Sequence, residues 1–245
     1  MKQICYFILS LLLFTACGNQ DLPVSKDTKK PIKCLILGNS ITVHDTCDYW
    51  WGTWGMAASK RENDFIHQLE SKLKKRDRNY ICYGINIANW ETELNLNVLD
   101  LNSLNYVSFG FSQKIDAKDF KIIVIRLGEN IKNGIEPEVC EKAFTELIEG
   151  IKSVNPSAKL FITGVFWPTY FKEEIIKKIA KSENIPYINI DKFYSPENIQ
   201  AIGNSVYGND GSIHYIEHDG VASHPNDAGM KAIAEEIYNT ICLDL

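Results

Sequence analysis

Ser40 and the chain's five histidines are the first places to look for chemistry. The apolar run 33–37 breaks off at Gly38-Asn39-Ser40, so a small hydroxyl side chain stands where a strand turns. A run of that bulk fits a strand buried on both faces of a parallel sheet. Ligands of open α/β sheets bind at the C-terminal strand edge, where Ser40 would sit. Taken alone, the stretch reads better as a strand-to-loop turn with Ser40 as a helix cap. A serine hydroxyl becomes a nucleophile only when a base takes its proton, and histidine has the pKa for that at neutral pH. His67 falls on an amphipathic stretch and reads as structural, and His44 is close enough to Ser40 to line its pocket. His214 and His218 lie in a polar loop, as surface residues or a chance metal pair, and His224 flanks a helix start with Pro225 in the first turn. A second apolar strand ends in Gly128-Glu129-Asn130, which brings a side-chain amide to the same sheet edge.

The elements needed to gather these residues are legible as alternating patterns. Strands are expected at 33–37, 79–85, 121–127, 158–165 and 186–190. Helices are expected around Phe65, Ile66, Leu69 and Leu73, then at 137–154, at 172–182, and from Pro225 to about 242. Strands alternating with helices imply a three-layer α/β/α domain around a parallel sheet. The stretch 106–120 carries no assignable period, and 195–219, rich in Gly, Asn and Asp, reads as a long loop.

Three short blocks, Gly38-Asn39-Ser40, Gly128-Glu129-Asn130 and His224-Pro225-Asn226, stand in that order on those elements. Together they resemble the SGNH hydrolase superfamily, or GDSL-type esterases, from residue 32 to the C-terminus. The resemblance implies a flavodoxin-like five-stranded parallel sheet and a serine esterase needing no cofactor or metal. Ser40 would be the nucleophile and His224 the base. The family's orienting Asp, three residues before the histidine, is Val221 here. Asp219 is the nearest substitute, with Glu217, Asp210, Asp227 or a backbone acceptor as alternatives. The family's oxyanion donors map onto the Ser40 N–H, the Asn130 amide and the backbone of Glu91, which stands where the family has glycine. Asn39 replaces the family's Asp. Arg126 is expected to pair with Glu91 or Glu129 beneath the site, or to bind an anionic substrate group.

The loop after Ser40 holds Trp50, Trp51 and Trp54, and Trp90 precedes Glu91. Flat indole faces suit sugar C–H groups, so Trp51, Trp54 and Trp90, with Asn39, are expected to bind a substrate bearing short acyl, above all acetyl, groups on carbohydrate. The competing expectation is an inactive binding module for glycans on the same fold.

The chain is 45% hydrophobic and 23% charged, enough apolar content for one substantial core. A net charge of −5 without a long basic run argues against nucleic acid as a partner. There is no Gly-x-Ser-x-Gly elbow and no Gly-x-Gly-x-x-Gly after the first strand, against an ordinary α/β-hydrolase and a dinucleotide enzyme respectively. Residues 1–16, charged and then apolar, end in Thr15-Ala16 before Cys17 and resemble a bacterial lipoprotein signal. Cys17 would carry the lipid and 17–31 would tether domain 32–245 to a bacterial membrane, with plain secretion as the alternative.

Overall fold

The computed structural model describes residues 30–108 and 111–244. The expected signal, the lipidated Cys17 and most of the tether lie outside the described residues. In chain order the elements are β1 (Ile32–Gly38), α1 (Phe65–Arg76), β2 (Tyr80–Asn86), α2 (Ala88–Glu93), β3 (Leu104–Ser108) and β4 (Phe111–Ile115). Next come β5 (Ile122–Ile125), α3 (Pro137–Val154), β6 (Lys159–Thr163), α4 (Tyr170–Ser182) and β7 (Tyr187–Ile188). The chain ends with β8 (Ser205–Tyr207), β9 (Ile213–Tyr215), α5 (Asp219–Ala222) and α6 (Asp227–Asp244).

The main sheet has five parallel strands in the order β2-β1-β5-β6-β7. This is the expected flavodoxin-like winding. Its central strand sequences are apolar throughout because both faces are covered. Successive side chains alternate between faces. Cys34 and Ile36 of β1 therefore join Leu69 of α1 and Ile233 and Ile237 of α6 on one side. Leu35 and Leu37 join Phe144 and Ile148 of α3 and Ile176 of α4 on the other. Three layers follow from that alternation.

Two expectations about irregular segments are corrected. Within 106–120, an antiparallel hairpin of β3 and β4 pairs Leu104 with Ile115 and Tyr106 with Gln113. Within 195–219, β8 and β9 form a second hairpin, turning through Asn209-Asp210-Gly211 with Gly211 at φ +80°. That tripeptide is a hairpin signal in its own right. The last helix begins at Asp227 rather than Pro225, because the Asn226 side chain caps it by accepting from the N–H groups of Ala228 and Gly229 at 2.9 and 3.0 Å.

Candidate active site

β1 delivers the first residue. Gly38 ends the strand so tightly that a Cβ there would lie 2.7 Å from the Thr42 Cβ and 3.1 Å from the Arg126 carbonyl oxygen, so only glycine allows the turn. The turn is closed by Thr42 and Val43 N–H groups donating to the Asn39 carbonyl. Ser40 is thereby left half-buried at the sheet edge.

His224 arrives from the other end of the chain, in the bend between α5 and α6. Its Nε2 lies 2.8 Å from Ser40 Oγ, and its Nδ1 lies 2.6 Å from the Gly220 carbonyl oxygen. A carbonyl only accepts, so Nδ1 carries the proton and Nε2 offers its lone pair to the serine hydroxyl. Burial pushes the imidazole down to about 4, aided by the nearby Arg126 guanidinium and opposed by the Gly220 carbonyl and Glu129. The ring is neutral near pH 7, the state a base requires. Trp167, unmarked in the sequence reading, packs edge-on against the ring at 5.0 Å and donates its indole N–H to the Ser223 carbonyl at 2.9 Å.

Asp219 does not meet the ring. It is exposed at the start of α5, and its neighbour's backbone occupies the position expected of its carboxylate. The four-residue α5 folds the chain back so that the Gly220 carbonyl, four residues before His224, reaches Nδ1. Asp210 is engaged by Ser212 and Asp227 by Ser59 and Asn63, and Glu217 is exposed. The backbone acceptor left open by the sequence is the one present.

Asn130 follows β5, the strand beside β1. Gly128 adopts φ +132°, and a Cβ there would lie 2.6 Å from Val165 Cγ1. Below this bend sits a buried polar cluster, of which the sequence marked only the pairing of Arg126 with Glu91 or Glu129; the structure shows the Glu129 pair. Glu91 Oε1 accepts from the N–H groups of Gly128 (2.5 Å) and Asn130 (3.4 Å), and Oε2 accepts from the Asn130 side-chain amide (2.7 Å). Glu91 thus enters through its carboxylate. The backbone donor expected at this position is therefore accompanied by a carboxylate that holds the Gly128-Asn130 bend in place.

Asn39 joins the cluster from above. Its amide nitrogen donates to Glu91 Oε1 at 3.2 Å and to Glu129 Oε2 at 2.7 Å, and its oxygen accepts from Arg126 at 2.9 Å. The residue is fully buried and is no substrate contact. An aspartate here would set a third carboxylate against two others. The departures at positions 39 and 91 therefore belong together: the asparagine supplies two donors that the glutamates need. Arg126 pairs with Glu129 at 2.6 Å, both side chains being enclosed, so it takes no part in binding an anion. Lys172 adds a second cation, donating to the Glu129 carbonyl at 3.0 Å. Burial and the charge of Glu129 push the Glu91 carboxyl up, against the pull of its donors from Gly128, Asn130 and Asn39.

The tryptophans are mostly core. Trp54 and Trp90 are 4% and 1% exposed, so neither offers a face to substrate. Trp50 is also enclosed, and Trp51, half-buried, stacks on His214 at 4.2 Å. His218 stacks on Tyr49 at 4.1 Å. Ser212 lies 2.7 Å from His214 Nε2, a second serine–histidine contact, but on an exposed hairpin turn where Asp210 also holds the hydroxyl.

No protein-family model and no curated protein matches the sequence. Solved structures do match in fold. A two-domain esterase active on acetylated mannans superposes with a TM-score of 0.55 at 16% identity, over 87% of this chain and 50% of that one. A family two carbohydrate esterase from Cellvibrio japonicus gives 0.52 at 14%, over 88% and 62%. A Parabacteroides merdae protein provisionally named a GDSL-like lipase gives 0.52 at 14%, over 88% and 97%. The chain spans about half the length of the two-domain esterase. The fold is that of the SGNH, or GDSL-type, hydrolases.

Proposed function

We propose that the chain is a serine esterase that removes short acyl groups, acetyl above all, from carbohydrate. The observation that carries this reading is the alignment of Ser40 Oγ, His224 Nε2 and the Gly220 carbonyl on one proton path. Ser40 Oγ attacks the ester carbonyl carbon as its proton passes to Nε2. The tetrahedral oxyanion collapses, expelling the sugar oxygen, which takes the proton back from His224. Water, deprotonated by the same histidine, then frees the acyl group from Ser40. The Gly220 carbonyl holds the imidazole in the right tautomer and accepts from the imidazolium formed in transit.

The oxyanion lies within reach of two donors in this reading. One is the Ser40 N–H, which among the described residues engages no acceptor. The other is the Asn130 amide, whose second N–H stays available while Glu91 fixes the first. The fold neighbours with acetylated-mannan and carbohydrate esterase activity support the substrate class. The chain's own Cys17, after its apolar run, supports a lipid anchor, since buried methylenes contribute ~0.8 kcal/mol each. Membrane fractionation of a Cys17→Ala variant checks it, and unchanged membrane retention refutes it.

The test of the activity is a panel of acetylated sugars and p-nitrophenyl esters of increasing chain length. Acetyl esters are expected to turn over fastest, with loss in Ser40→Ala. Faster hydrolysis of long-chain esters, with acetylated sugars untouched, would refute the substrate class. Binding of glycans without turnover of any ester would favour an inactive binding module instead.

A further inference from the structure

A cavity of about 370 Å³ opens beside the Ser40 loop, lined by His44, Asp45, Asn86, Asn89, Asn105 and Val107. A second, of about 270 Å³, shares Asn86, Asn89 and Asn105 and runs on past Asp100, Ser103 and Lys114. The shared asparagines make the two one groove along the β2 edge of the sheet. Its outer wall is the β3–β4 hairpin, held to β2 by the edge-on contact of Tyr106 with Tyr83 at 5.0 Å. Its inner end reaches the Ser40 turn: Asn86 pairs with Gly38 in the sheet and its Nδ2 donates to the carbonyl of Val43, whose own N–H donates to the Asn39 carbonyl at 3.1 Å.

The lining specifies a chemistry. An amide side chain offers two donors and an acceptor with two lone pairs, which suits neighbouring hydroxyls. The Asn89 amide has no protein partner among the described residues. Asn105 accepts from Ser112 Oγ at 2.6 Å through its oxygen, leaving its NH2 group to donate. Asp45 and Asp100 outnumber Lys114, so nothing here favours an anionic sugar or a phosphate. The polar wall of the first cavity, His44, Asp45, Asn86, Asn89 and Asn105, disfavours a long acyl chain, and the second sets Val98 and Leu99 beside its polar groups, a mixed surface that suits the C–H and hydroxyl faces of a sugar.

We propose that this groove binds the sugar chain on the leaving-group side of the ester, as a neutral oligosaccharide with one unit in each cavity. The proposal rests on the esterase reading and goes beyond it in fixing where the polymer lies and what its charge is.

The experiment compares kcat/KM for an O-acetylated neutral tetrasaccharide and an acetylated monosaccharide of the same sugar. It uses wild type, Asn89→Ala and Asn105→Ala, with isothermal titration of Ser40→Ala by the unacetylated tetrasaccharide. The tetrasaccharide is expected to be preferred at least tenfold in wild type, with that ratio falling at least fivefold in each asparagine variant. A ratio near one, a ratio unmoved by both substitutions, or preference for an acetylated uronate oligomer would overturn the groove. If wild type cleaves no ester while Ser40→Ala binds the tetrasaccharide in an Asn105-dependent way, the groove stands and the esterase reading falls.

Discussion

In the proposed mechanism His224 is a base held neutral by its surroundings rather than by a carboxylate. Its folded value of about 4 lies well below the ordinary ~6.5 for histidine. Between those values the unfolded chain binds more protons than the folded one, so stability falls as pH drops from about 6.5 towards 4. Over the same range the folded protein keeps a neutral imidazole, the form the proposed mechanism needs. The acid limb of kcat/KM is therefore expected near pH 4 in a pH–rate profile, and a limb at 6.5 would contradict the burial argument. Asp219→Asn is expected to stay within about threefold of wild-type activity, since its exposed carboxylate does not touch the ring. Position 39 is more sensitive. Asn39→Asp forces a third carboxylate against Glu91 and Glu129, and is expected to cost about 3 kcal/mol in chemical denaturation. Adding Glu91→Gly should recover part of that loss if the two positions are coupled, a non-additivity that a double-mutant cycle reads directly.

At the scale of elements, the apolar runs of β1, β2, β5 and β6 were readable because a strand covered on both faces has little choice but to be apolar. Ser40, Asn130 and His224 were readable because each follows or precedes such an element in a short recognisable block. What stayed hidden depended on side-chain direction. A carboxylate at position 91 reads in sequence as a backbone donor carrying an inconvenient side chain; in the structure the side chain is the working part. Gly220 was invisible as a partner because a backbone carbonyl leaves no mark in sequence. Tryptophans beside a nucleophile suggest sugar stacking, but Trp54 is buried in the core cluster to which α1 and α6 also contribute, and Trp90 packs edge-on against Phe144 at 5.1 Å. Trp54→Ala and Trp90→Ala are expected to lower stability by about 3–5 kcal/mol, read as a fall in Tm. A change in KM at full stability would return them to the binding site.

The whole molecule explains why residues 184 positions apart can meet. Winding in the order β2-β1-β5-β6-β7 reverses direction between β1 and β5, and a crevice opens at that point on the C-terminal edge. Ser40 and Asn130 flank it from adjacent strands, and the bend between α5 and α6 sets His224 against Ser40. Beneath this edge the buried carboxylates and the Arg126 guanidinium satisfy one another through Asn39. The proposed mechanism makes Ser40 and His224 one unit, so Ser40→Ala and His224→Ala should each lose nearly all turnover, and the double variant should be little worse.

The central claim, that His224 activates Ser40 for attack on an acyl carbon, is tested most directly by a fluorophosphonate probe followed by intact-mass and peptide analysis. A single adduct on Ser40 is predicted, absent in Ser40→Ala and formed far more slowly in His224→Ala. An unlabelled wild-type protein, or an adduct on the exposed Ser212 in place of Ser40, would contradict it.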